Sequence, residues 1–407
     1  MRTKLDTTAI VHTALMSKKH INMYRIIITV KETVDPVLLQ RALDKMVDRF
    51  PMICSRIVSD SHWYYLEKME RIIVREDDRR ILGSLDCHNV FSQAVNIMYS
   101  GREIIMEAFH SVTDGFGAFT FLNCLVAEYA HLKYGDGEEL NWGIVSDRER
   151  EDSFVKFGDA SQSAEKLFKV KNAFTFEGEE TRQAKFTTFR LNLRNIKDTA
   201  KRRQCTLNEM IITMFYSAIF RIDNTINKDV VLTIPVNLRN KFDSASLLNF
   251  TYLAKTVVRK TAHNKPEDEI IREIRSQMLR QNNREYLHKA ITPMGRLQTS
   301  LLMKICPLWL KTFMIRTAVR FGADNTLMTV SNLGDISRML PDAAEHIVNV
   351  DTIISPRRNS PYNCCIASLG NIMNINFTHG NPDSPFMTNL RLWLRENGIA
   401  FEEYRHQ

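Results

Sequence analysis

Between Ile21 and Lys31 the chain is dense in isoleucine, valine, threonine and tyrosine, a composition that predicts a strand. The period then changes. From Val37 to Phe50, Leu38, Leu39, Ala42, Leu43, Met46 and Val47 fall on one face of a helix. Asp35 is its expected N-cap, Pro36 its first helical residue, and Pro51 its stop. Short strands are expected at Trp63 to Leu66 and Arg71 to Val74, and a longer one from Arg102 to Phe109. Residues 118–134 read as a helix ending near Gly135. A strand follows at 185–191, and Thr206-Leu207-Asn208-Glu209 is a capping box opening a helix that runs to Ile222. Val230 to Pro235 and Leu253 to Val258 are strands; Pro266 to Tyr286 reads as one charged amphipathic helix with acids at its positive end. Thr326 to Val330, Ile347 to Ile354, Cys364 to Ser368 and Ile372 to Phe377 complete the strands. Leu369-Gly370-Asn371 supplies a hairpin turn, and Thr388 to Glu396 a closing helix. Strands and helices thus alternate in both halves, in an α/β or α+β manner.

A chain of 407 residues is long for one hydrophobic core, so two lobes are expected. The run from 151 to 184 is charged and weakly periodic, which makes it the expected crossover between a lobe at 1–150 and a lobe at 185–407. The net charge of +8 arises from 55 basic and 47 acidic residues, and the bases are dispersed in short clusters such as Arg357-Arg358. No basic stripe with interleaved aromatics is present, which argues against a nucleic-acid partner. A modest positive potential suits a phosphate-bearing co-substrate or an acidic carrier protein, and a solvated basic surface equally. The seven cysteines show neither a C-x-x-C pair nor metal-ligand spacing, so no metal is expected and core packing is the better role. Met1 to Asp6 lacks the apolar run of a secretory signal. Leu301 to Val319 is interrupted by Lys304, Pro307, Lys311 and Arg316, so a packed helix pair is expected there rather than a transmembrane span, with an interfacial amphipathic role as the alternative. A cytoplasmic protein with reduced thiols follows.

The chemistry concentrates in Phe109-His110-Ser111-Val112-Thr113-Asp114-Gly115-Phe116-Gly117. Histidine is the side chain best suited to proton transfer near neutral pH, and His110 stands where a strand gives way to a turn. His12, His20 and His379 lack such company in the sequence, and surface or packing roles are expected for them, with an approach to the same site as the alternative for His12 and His20, which fall near the first strand.

The element His-x-x-x-Asp-Gly at 110–115 resembles the motif of the chloramphenicol acetyltransferase-like superfamily, which includes alcohol O-acetyltransferases, wax ester synthases and peptide-synthetase condensation domains. The likeness extends along the chain. Asp35-Pro36 with Leu39, Ala42, Leu43 and Arg49-Phe50-Pro51 is similar to the family's first strand–helix unit. Ile234-Pro235-Val236-Asn237-Leu238-Arg239 resembles its P-V-x-L-R segment, with Asn249-Phe250-Thr251 beyond, and Val330-Ser331-Asn332-Leu333-Gly334 its S-N-L-G segment. The resemblance implies two similar lobes packed as a pseudo-dimer around a tunnel. It makes His110 the general base and gives Asp114 a structural ion pair with Arg239. Gly115 would permit a close approach or an unusual φ, and Ser331 or Asn332 would donate to the oxyanion. It further implies a thioester donor, acyl-CoA or an acyl carrier protein, with no tightly bound cofactor, and a small alcohol or amine acceptor. Condensation domains usually carry two histidines in tandem; Phe109 at the first position tilts the reading toward a free-standing acyltransferase. Carrier-dependent transfer and a catalytically silent, ligand-binding relative are the alternatives.

Overall fold

Local chemistry sets most helix starts. Asp35 Oδ1 accepts from the amides of Val37 and Leu38, and Pro36–Arg49 buries Leu39, Ala42, Leu43, Met46 and Val47. Thr206 and Glu209 satisfy each other's backbone amides at the start of Leu207–Phe220. Asp114 caps Gly115–Tyr134, which ends at Gly135 with φ 71°. The structure is a computed structural model, and it describes residues 1–17, 21–79, 81–82, 91–135, 140–158, 170, 173–175, 184–222, 228–259, 266–322, 326–355 and 362–406. His20, Cys87, Arg357-Arg358 and much of the 151–184 crossover lie outside the described residues.

Several elements differ from expectation. The segment 71–74 forms no strand. The Gln40 side chain takes the place of a partner, donating to Ile72 O at 2.9 Å and accepting from Val74 N at 2.8 Å. The helix expected over 266–286 is two helices, Glu267–Gln281 and Arg284–Thr299. Asn283 makes the break because its side chain accepts from Glu285 N and Tyr286 N, and this capping competes with helix continuation. Thr7–Leu15 is a helix whose threonines and valine mask the period, yet Asp6 caps it through Ala9 N at 2.7 Å. The pair expected near 301–319 exists as Leu301–Ile305 and Leu308–Gly322.

Among the described residues, one five-stranded sheet runs in the order Ile347–Ile354, Met23–Val30, Glu103–Phe109, Val95–Ser100, Arg75–Glu76. A seven-stranded sheet runs Thr251–Val258, Val230–Asn237, Met328–Asp335, Tyr362–Leu369, Ile372–His379, Lys185–Asn192, Phe401–His406. A small three-stranded sheet joins Arg2–Lys4, Tyr64–Lys68 and Ser55–Ser59. Each large sheet covers its own hydrophobic core, the first built around Phe109, Phe119 and Leu43, the second around Phe215, Phe377 and Trp393. Ile347–Ile354, from the later half of the chain, pairs antiparallel with Met23–Val30 and completes the first sheet. Polar side chains then tie it to the second sheet. Asn374 Nδ2 donates to Asn349 Oδ1 at 2.7 Å, and Thr378 Oγ1 to Ile354 O at 2.6 Å.

Candidate active site

His110 ends the strand Glu103–Phe109 and begins the turn before Gly115–Tyr134. Its backbone amide donates to Asn22 O at 2.7 Å, so the imidazole starts from a fixed point. Nδ1 lies 3.0 Å from Asn249 Oδ1. The orientation of the Asn249 amide is set on its far side, where Nδ2 and the backbone N–H both donate to Asp6 Oδ2, at 3.0 and 3.2 Å. With the Asn249 carbonyl facing the ring, the hydrogen-bond network assigns the His110 proton to Nδ1 and leaves Nε2 as an acceptor. Burial, reinforced by Asp152, pushes the Asp6 carboxyl up to about 7. The Tyr24 ring stands edge-on to His110 at 5.3 Å, and His12 lies beside it with ring centroids 4.8 Å apart. Asn22 Nδ2 donates to His12 Nδ1 at 2.9 Å, which assigns the His12 proton to Nε2.

The rest of the turn is held at every polar residue. Ser111 Oγ donates to Ala9 O at 2.9 Å, and Thr113 Oγ1 to Leu247 O at 2.6 Å. Asp114 takes a bidentate pair from Arg239, with Nη1 to Oδ2 at 2.9 Å and Nη2 to Oδ1 at 3.0 Å. It also accepts from Phe250 N, Thr251 Oγ1 and Gly117 N. Burial alone would raise its carboxyl; Arg239 and these donors outweigh that and hold it below the usual carboxylate range. Arg239 is equally buried, donates further to the carbonyls of Ser246 and Leu248, and lies 4.4 Å over the Phe116 ring.

Three of the residues singled out from the sequence, His110, Asp114 and Arg239, are therefore gathered around the segment 247–251. Gly115 has no positive φ; its nearest potential contact is Leu333 Cδ2, 3.3 Å from where a Cβ would stand. The demanding glycine is Gly117, where a Cβ would sit 2.1 Å from Thr113 Oγ1 and 2.4 Å from Leu247 O. Ser331 and Asn332 follow one another on the strand Met328–Asp335 and point to opposite faces. Asn332 turns to the side of Asn208, at 3.4 Å, and also accepts from Gly334 N. Ser331 turns the other way, beside Cys365. Sequence reasoning missed Asn249 and Asp6, and it ranked a surface or packing role for His12 above the approach to the site that the structure shows. Asn249 stood in the Asn249-Phe250-Thr251 segment without a role, and nothing local to Asp6 marks its approach to Asn249.

No protein-family model and no curated protein matches the sequence. Solved structures do match in shape. F. graminearum TRI101, complexed with coenzyme A and deoxynivalenol, superposes with a TM-score of 0.65 at 10% identity, covering 98% of this chain and 99% of that one. The trichothecene 15-O-acetyltransferase TRI3 of Fusarium sporotrichioides gives 0.62 at 9% identity over 97% and 95%. The epimerization domain from the third module of tyrocidine synthetase B gives 0.63 at 10% identity over 98% and 95%. The chain has the two-lobed chloramphenicol acetyltransferase-like fold. In this fold the His110 turn, from the first sheet, faces the 247–251 segment that leads into the second, so the site is assembled where the lobes meet.

Proposed function

We propose that this protein is an acyltransferase moving an acyl group from a thioester, acyl-CoA, to the hydroxyl or amine of a small acceptor, with His110 as general base. The observation that carries the reading is the His110–Asn249–Asp6 relay, which holds the proton on Nδ1 and presents Nε2 as a base. Nε2 takes the acceptor's proton as its oxygen or nitrogen attacks the thioester carbonyl. The tetrahedral intermediate collapses with cleavage of the C–S bond, and the imidazolium returns the proton to the leaving thiolate. Ser331 or Asn332 is the candidate donor to the oxyanion. Asp114, Arg239 and Gly115 act on the shape of the turn and not on the reacting atoms. The lobes divide at residues 151–184, and no tightly bound cofactor is needed for this chemistry. The reading is of a cytoplasmic enzyme; among the described residues, no helix is long and apolar enough to cross a membrane.

The test is thiol release from acetyl-CoA and longer acyl-CoAs across an alcohol and amine panel. Turnover is expected with at least one donor–acceptor pair, and His110→Ala should lower it about 10² to 10⁴-fold with folding retained. An undiminished rate in that variant removes His110 as base. Turnover with an acyl carrier protein but with no acyl-CoA would instead assign the donor to a carrier.

A further inference from the structure

The helix pair Leu301–Ile305 and Leu308–Gly322 packs on one face only. Met303 and Ile315 turn inward, and Lys311 is buried against Trp63 with Nζ donating to His62 O at 2.6 Å. The other face leaves Leu301, Leu302, Ile305, Trp309 and Phe313 in solvent, with Trp309 71% and Phe313 63% exposed. Positions 309, 313 and 316 recur at i, i+4 and i+7, so Trp309, Phe313 and the exposed Arg316 share one stripe. A protein surface rarely leaves so many large apolar side chains together without a partner.

Charge selects that partner. The helix pair itself, 301–322, carries Lys304, Lys311, Arg316 and Arg320 and no aspartate or glutamate; Lys311 is the one turned inward, and Lys304 is exposed beside the apolar face. Lys4 adds a further positive charge close to Lys304. The acids nearby are Asp152, which faces Lys4, and Asp60, which faces Lys4 and Lys311 at the start of the second helix. A second copy docking through the same stripe would set Lys304 against a like charge. An anionic bilayer meets both requirements at once, taking Trp, Phe and Leu into the headgroup boundary while the bases meet acidic headgroups.

We propose that this helix pair docks the protein on an anionic lipid surface. The patch adjoins the site described above: Leu308–Gly322 packs on Thr7–Leu15, where Arg316 Nε donates to Ala14 O at 2.6 Å, and His12 of that helix lies against His110. A docked molecule holds the His110 cleft one helix away from the phase in which an apolar acceptor dissolves.

The experiment sediments the full-length protein with vesicles of phosphatidylglycerol and phosphatidylcholine, and separately with phosphatidylcholine alone. Trp63 and Trp393 are buried and Trp142 half-buried, so quenching of tryptophan emission by acrylamide reports chiefly on Trp309. Binding to the anionic vesicles is expected, with Trp309 protected from acrylamide and weaker binding at high salt. Trp309→Ser with Phe313→Ser should weaken binding at least about tenfold, and both side chains are exposed enough for the fold to survive. Absence of binding, or equal binding by the double variant, overturns the proposal. So does a concentration-dependent dimer that Trp309→Ser disperses, since it assigns the face to a second copy. Turnover of soluble substrates should be unchanged in the double variant, so failure here leaves the acyl-transfer reading intact.

Discussion

The protonation of His110 is decided by residues remote in sequence. Asn249 is 139 residues away and Asp6 lies 243 residues before Asn249, yet together they orient the imidazole. Asn249→Ala should lower kcat about tenfold or more and shift the acid limb of its pH profile, because the Nδ1–H tautomer loses its acceptor. A KM effect alone, with kcat and the profile unchanged, counts against the relay. Asp114 answers to a different measurement. Asp114→Asn keeps the shape but leaves Arg239 buried without its counter-charge, so the protein should lose about 3–5 kcal/mol in chemical denaturation, with its preference among acceptors unchanged. His110, Asp114 and Arg239 were legible because their neighbours form short motifs. The roles of Asn249 and Asp6 were not, because no local spacing encodes a contact made across the cleft.

Elements follow local rules where caps are explicit, and depart from them where a side chain competes with the backbone. Asn283 splits one expected helix into two by capping the second, and Gln40 stands in for a strand at 71–74. The helix Gly115–Tyr134 shows the same logic in its glycines. Gly117→Ala would drive a methyl into Leu247 O, a backbone atom that cannot swing aside, and should destabilise by more than about 2 kcal/mol. Gly115→Ala meets only the end of the Leu333 side chain at 3.3 Å and should be mild. Paired unfolding curves distinguish them, and equal effects would refute the close approach at Gly117.

At the scale of the whole molecule the later half of the chain lends the strand Ile347–Ile354 to the first sheet, and burial in and around the sheets sets an acid sensitivity. His379 is held in the second sheet with Nε2 2.8 Å from Thr187 Oγ1, and burial, aided by Lys185, lowers its pKa from 6.5 to about 4. The unfolded chain takes up this proton near pH 6.5 while the folded one resists it until about 4, so the stability is present above pH 6.5 and is lost as pH falls toward 4, by up to ~3 kcal/mol. Asp6 works in the opposite sense: raised to about 7, it adds stability as pH falls below 7. Comparing His379→Gln with the parent cancels Asp6; the parent should lose more stability than the variant between pH 6.5 and 4.5, and parallel curves would contradict the burial argument. The sequence by itself determined the alternation of elements, the caps at Asp35 and Thr206 and the base-bearing turn, because caps, periods and short motifs act over a few residues. Only the tertiary structure decided that Ile347–Ile354 completes the first sheet, that Asn249 and Asp6 hold His110, and that one apolar face of 301–322 is left in solvent. Those outcomes depend on which distant surfaces meet, and a linear pattern states what a face is made of but not what covers it.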